Sequence, residues 1–204
     1  MGNNVIQPEG NYFDKYNSKN PIVKWMMRNF FDDLEGLLCR TENIESILEA
    51  GCGEGDVTSY LEQVFGLQCK ITAFDISAKV VEEAKSKCKS VVISTGNIYK
   101  IEGDSKYDLV CCCEVLEHLE EPEKALQELL RVSNRYLLVS VPREPIWRLL
   151  NMARGKYIGD FGNTPGHIQH WSSKRFRTFL EVSGMEIVEM RKPLPWTMVL
   201  LQKK

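Results

Sequence analysis

The chain has 204 residues, 43% hydrophobic and 26% charged, with a formal net charge of -2 and a sequence pI near 6.0. That length fills one α/β domain with some decoration, so a single domain over residues 1–204 is expected. A slightly acidic chain has no general pull toward nucleic acid or anionic lipid, no apolar run reaches membrane-spanning length, and the start Met-Gly-Asn-Asn-Val lacks the basic flank and apolar core of a signal peptide. Seven cysteines, with Cys111, Cys112 and Cys113 consecutive in an apolar stretch, read as buried free thiols, because neighbours on a strand point to opposite faces. A reducing, cytoplasmic location is expected.

Residues 1–19 are polar and punctuated by Pro8 and Gly10, and Tyr12, Phe13 and Tyr16 are the groups that could seat them. From Asn20 the signals turn helical: Asn20 as N-cap, Pro21 at the first position, then Val23, Met27, Phe30, Leu34 and Leu38 at helical spacing. Ser46 to Ala50 is a short apolar strand with Glu49 near its end. Gly51, Gly53 and Gly55 follow at alternate positions, and Asp56 caps a helix that Gly66 ends. A glycine turn at the carboxyl end of a buried strand lets the backbone approach a ligand closely. The dinucleotide spacing G-x-G-x-x-G fails, since Asp56 stands where the third glycine belongs. A carboxylate inside the strand end suits a cationic group better than a pyrophosphate, and S-adenosylmethionine carries an ammonium and a sulfonium.

Glu49-Ala50-Gly51-Cys52-Gly53-Glu54-Gly55 resembles the first motif of the class I S-adenosylmethionine-dependent methyltransferases, and the likeness extends through matching segments to Pro142. The resemblance implies a three-layer, Rossmann-like α/β fold: a seven-stranded, mostly parallel sheet with helices on both faces and a reversed C-terminal strand. It also implies that Glu49, Gly51, Cys52 and Gly53 lie against the cofactor and that residues 1–40 form a helical lid segment. Lys70 to Phe74 is a second strand, with a helix from Ser77. Asp75, at the strand tip beside Ile76, can accept both hydroxyls of a ribose. After a third strand, Val91 to Ser94, comes Gly96-Asn97-Ile98. The family usually has Gly-Asp there, and the Asn97 amide oxygen can accept the adenine amino group in its place.

Tyr107 to Cys113 reads as a central fourth strand whose end, at Cys113, should meet the cofactor. Cys113-Glu114-Val115-Leu116-Glu117-His118-Leu119 then resembles the segment that lines the cofactor and faces the substrate in quinone-biosynthesis O-methyltransferases. A helix from Pro122 and a fifth strand, Arg135 to Val141, complete the alternating pattern. Residues 143–171 depart from it, with a short amphipathic helix around Trp147 and several glycines, and are the expected cover of the substrate site. Ser172 caps a further helix that Gly184 ends. Met185 to Arg191 and Thr197 to Gln202 are a reversed closing pair.

Methyl transfer from a sulfonium is a displacement in which the leaving group is already good, so the protein mainly positions reactants and handles the substrate proton. His118, just beyond a strand end, is the candidate base for an oxygen acceptor. Glu114, Glu117 and His118 fall within one helical turn, and with His167 on the later loop they could hold a divalent ion, as in the E-x-x-E-H plus distant His pattern of quinone and small-RNA 2′-O-methyltransferases. The first part of that pattern also occurs in relatives that need no metal, so the ion ranks behind the base. The expected activity is methylation of a small molecule at oxygen. An RNA acceptor would need Arg143, Arg148, Arg154 and Lys156 to hold phosphates, and ranks below it. A non-catalytic cofactor-binding subunit is the third reading, which a sealed pocket above Glu114 would favour.

Overall fold

The computed structural model describes residues 16, 18–103 and 106–204, and the stretch Tyr12 to Phe13 of the expected lid lies outside them. The helical pattern after Asn20 forms α1 (Pro21–Leu38), and the Asn20 side chain accepts the Ile22 N–H at 2.9 Å. Alternating apolar runs and amphipathic segments then give β1 (Ser46–Ala50), α2 (Asp56–Phe65), β2 (Lys70–Asp75), α3 (Ala78–Lys87), β3 (Val92–Thr95), β4 (Tyr107–Cys113), α4 (Pro122–Val132) and β5 (Ser133–Pro142). The chain continues through α5 (Ile146–Ala153), α6 (Ser173–Glu181), β6 (Glu186–Arg191) and β7 (Trp196–Gln202). All seven strands join one sheet in the order β3-β2-β1-β4-β5-β7-β6. β7 pairs antiparallel with both neighbours, so the expected reversed pair reduces to one reversed strand.

Period-two alternation builds the three layers. Leu48, Val110, Cys112 and Leu137 face Ala125 and Leu129 of α4 and Phe176 of α6. Their neighbours Ile47, Leu109, Cys111 and Leu138 face Phe30 and Leu34 of α1 and Leu61 of α2. β4 has a partner strand on either edge and a helix layer over either face, which is why Leu109 to Cys113 are all buried. Strand order reverses between β1 and β4, and the crevice beyond their carboxyl ends is where open α/β sheets hold ligands.

Two local expectations are corrected. Asp56 is not the cap of α2 but its first residue: Gly55, at φ 83, makes the entry, and a Cβ there would lie 2.8 Å from the Ala84 Cβ. Only glycine supplies that backbone and lets α2 and α3 approach, while Asp56 sits where the helix dipole favours an anion and pairs with Lys87 at 2.8 Å. Likewise α6 stops at Glu181, with Val182 rather than Gly184 closing it. None of the seven cysteines is in a disulfide, and six are buried; Cys39 is exposed. Among the described residues no helix is long and apolar enough to cross a membrane.

Candidate active site

A cavity of about 750 Å³ opens at the crevice between β1 and β4. Glu49, Gly51, Cys52, Gly53, Asp75, Ile76, Asn97, Ile98 and Cys113 all line it, although they come from four strand ends. β1 delivers Glu49 almost fully buried, and the Thr58 hydroxyl of α2 donates to its Oε2 at 2.5 Å. Burial pushes the carboxyl up to about 8, against the Thr58 bond that lowers it and the nearby Asp75 that adds to the rise. The same burial raises the Cys52 thiol and keeps it protonated. Gly53 has φ 52, and a Cβ built on it meets nothing within 4 Å, so the turn leaves open space where a ligand would lie.

Asp75 spans the turn. Its Oδ2 accepts the Gly53 N–H at 2.9 Å and its Oδ1 the Ser77 N–H at 3.0 Å, so it holds both the glycine turn and the start of α3. A carboxylate has about four lone-pair sites, and two acceptor positions remain. The Asn97 Oδ1 accepts the Tyr99 N–H at 2.9 Å, which fixes a local turn, and an amide oxygen has a second lone pair for another donor.

The reacting end is set by the short turn Leu116–His118 after β4. Glu114 is not on a helix with Glu117; it stands at φ 60, an uncommon backbone for a side chain this long, and its Oε2 accepts the Trp196 Nε1–H at 2.5 Å. It therefore lies outside the metal-type cluster, which consists of Glu117, His118 and His167, with ligand atoms all within 4.8 Å of one another. His167 is carried there by the backbone: the Ile168 and Gln169 N–H groups both donate to the Glu117 carbonyl at 2.9 Å. Its ring meets His118 edge-on at 4.8 Å and stacks on Trp147 at 5.6 Å. His118 Nδ1 lies 2.9 Å from the Gly166 carbonyl oxygen, which can only accept, so Nδ1 carries the proton and Nε2 of the neutral ring carries the lone pair.

Sequence reasoning did not single out Met26, Asn151, Thr164 and Trp196, which also line the cavity. None has a local motif; each arrives through tertiary packing. Tyr16, the described part of the expected lid, lines the cavity, and burial together with the Glu114 carboxylate pushes its phenol well up. His170 lies 3.7 Å from Glu144, away from the cavity. Of the four basic residues, Arg154 and Lys156 line the cavity, Arg148 binds the carbonyls of Asp160 and Phe161, and Arg143 Nε is buried. They form no continuous phosphate-holding strip.

This fold, with a glycine turn after β1 and an acid at the tip of β2, defines a Rossmann-like domain. Residues 22–190 match a family described as a methyltransferase domain, and the chain belongs to that family. It is 29% identical over 124 residues to the mitochondrial ubiquinone biosynthesis O-methyltransferase of Schizosaccharomyces pombe, covering 56% of this chain and 44% of that protein. It is 31% identical over 145 residues to the thiol S-methyltransferase of Rattus norvegicus, covering 63% and 56%. The chain thus spans about half the length of these curated relatives. Magnesium protoporphyrin IX methyltransferase from Synechocystis PCC 6803, solved with bound SAH, superposes with a TM-score of 0.69 at 19% identity over 92% of this chain and 89% of that one, a likeness of fold.

Proposed function

We propose that the chain binds S-adenosylmethionine between the Glu49–Gly53 turn and Asp75 and methylates a small molecule at oxygen beside His118. The observation that carries this reading is the single open cavity in which the turn, Asp75 and an oriented His118 all meet. An open cavity lined by Glu114 also argues against the non-catalytic reading, and the scattered basic residues argue against RNA. The bound cofactor supplies the methyl group, whose bond to sulfur breaks as the bond to the acceptor oxygen forms, the electron pair passing to sulfur. Glu49 faces the ammonium, Asp75 accepts the ribose hydroxyls, and Ile76 and Ile98 give apolar surface to the adenine. His118 Nε2 takes the acceptor proton, and the Gly166 carbonyl stabilises the resulting imidazolium through Nδ1–H. Seven cysteines without a disulfide fit a reducing compartment such as the cytoplasm.

Titration calorimetry with S-adenosylmethionine tests the reading, and tighter binding of NADH would overturn it. Asp75→Ala should weaken cofactor binding by about 1–3 kcal/mol, roughly 5- to 150-fold, and unchanged affinity removes Asp75 from the site. Glu49 adds a protonation signature. With its pKa raised to about 8, it is mostly neutral at pH 7, and an arriving ammonium favours the carboxylate. Binding should then release a proton, and affinity should rise with pH until it levels above about 8. Titrations at pH 7 in buffers of different ionisation enthalpy read the proton count; none released in unmodified protein removes Glu49 from the ammonium.

A second reading has its own observation. Glu117, His118 and His167 have the donor types and mutual distances of a divalent-cation site. An ion held by them would lower the pKa of an acceptor hydroxyl and replace His118 as the source of activation.

A further inference from the structure

The loop over the reacting end is built around one hydroxyl. Thr164, Pro165, Gly166 and His167 form a tight turn, closed by the His167 N–H on the Thr164 carbonyl at 3.0 Å, with Pro165 second and Gly166 third at φ 84. That is the residue order of a type II turn, whose third position needs a positive φ that glycine supplies without strain. The two ends of such a turn lie within about 7 Å. One end carries the His167 ring against His118, and the Gly166 carbonyl accepts His118 Nδ1–H. Thr164 is thereby fixed at the reacting end, and it lines the same cavity as both histidines.

Both hydrogen bonds of the Thr164 hydroxyl are ones it accepts. Its Oγ1 takes the Trp147 Nε1–H at 2.8 Å and an Asn151 Nδ2–H at 3.1 Å, both from α5, where residues four apart share a face. An indole N–H can only donate. The Asn151 amide is oriented as firmly, because its oxygen accepts from the Arg154 guanidinium, which only donates, and its nitrogen also donates to the Gly162 carbonyl, which only accepts. A hydroxyl has two lone pairs and one proton, and here both lone pairs are engaged. The proton remains. Among the described residues no group accepts it, although Thr164 is only 7% exposed. A buried donor without a partner is destabilising unless it opens on space that a ligand can fill, and Thr164 lines such a space.

Resting on the methyltransferase reading, we propose that Thr164 is a specificity-determining residue whose hydroxyl donates to a carbonyl oxygen of the acceptor while His118 takes the proton of the reacting hydroxyl. The acceptor is then an apolar hydroxy compound that carries a carbonyl within reach of both groups. A substituent that can only donate meets a hydrogen where it needs a lone pair, and a hydrocarbon at that point leaves the buried proton unanswered. Met26, Met27 and Leu150, which also line the cavity, give apolar surface to the rest of the molecule.

Calorimetry on the full chain saturated with S-adenosylhomocysteine tests this with 3- and 4-hydroxyacetophenone against 3- and 4-isopropylphenol, in which a hydrocarbon of the same shape replaces the carbonyl. At least one ketone should bind about fivefold or more tightly than its counterpart, the size of one net hydrogen bond. Thr164→Val keeps the shape, removes the donor and should abolish that preference, whereas Thr164→Ser should keep it. Valine also leaves the Trp147 and Asn151 N–H groups without an acceptor. Thr164→Cys, a weaker donor that still accepts from both, therefore stands in if valine prevents folding, and should cut the preference below about twofold. Affinity for S-adenosylhomocysteine shows that each variant is folded. No preference in the unmodified chain, or no binding of either ketone, overturns the proposal. So does a preference that survives in Thr164→Val or Thr164→Cys with ketone and hydrocarbon weakened alike, which would make Thr164 a prop for Trp147 alone. Failure of the unmodified chain to bind S-adenosylhomocysteine at all would instead sink the methyltransferase reading on which this rests.

Discussion

His118→Ala should lower the rate of methyl transfer by about 10²–10⁴-fold and leave affinity for S-adenosylhomocysteine nearly unchanged. The variant removes the proposed base, whereas the glycine turn and Asp75 are untouched. The alanine variant also loses the bond from Nδ1 to the Gly166 carbonyl, which helps hold the loop that carries His167. His118→Asn keeps a short amide donor for that carbonyl and offers no base, so an equal loss in both variants assigns the effect to proton transfer. The divalent-ion reading makes a separable forecast: Glu117→Ala and His167→Ala should each abolish activity, and a chelator should reproduce the loss in the unmodified chain. Chelator resistance with an inactive His118 variant retains the base and discards the ion. Full activity in every variant would make the cluster structural.

Trp196→Ala should cost about 3–5 kcal/mol of stability, read as a lower midpoint in urea denaturation at unchanged slope. Trp196 is 2% exposed and meets Phe30 of α1 edge-on at 5.1 Å and Trp147 of α5 at 6.0 Å, so it joins the sheet to the helices on either side of the cavity. Truncation leaves a hole that those rings cannot fill without moving α1 or α5. Trp196→Phe keeps most of the apolar body and removes the indole N–H that donates to Glu114. It should recover most of the stability while changing the acceptor KM, because Glu114 is then held differently beside the cavity. A loss below about 1 kcal/mol in Trp196→Ala would show that the site relaxes around the gap.

The elements whose signals are local were legible in the amino-acid order. The alternation of Leu109 to Cys113 between two helix layers, the cap at Asn20, and the strand, glycine turn and helix around Gly51 all follow from contacts within a few residues. The residues assigned to the cofactor also lie on one cavity, because a parallel sheet brings its carboxyl strand ends together whatever the lengths of the helices between them. Boundaries were less legible. Gly55 rather than Asp56 opens α2 because Ala84, from a different helix, demands the space.

The reacting end depended on partners distant in the chain. The spacing of Glu114 and Glu117 matches a helical turn, yet a donor from Trp196, 82 residues later, holds Glu114 in a left-handed backbone and away from the cluster. His167 reaches His118 through two backbone bonds to the Glu117 carbonyl, and backbone bonds leave no mark on residue identity. Arg154 and Lys156 read as two charges among four in a basic stretch, and only the closed fold brings these two to the cavity lining while Arg148 binds backbone carbonyls and Arg143 Nε is buried. Local order therefore carries the sheet and its glycine turn, whereas the choice of which polar groups face one another is made when distant segments close over the strand ends.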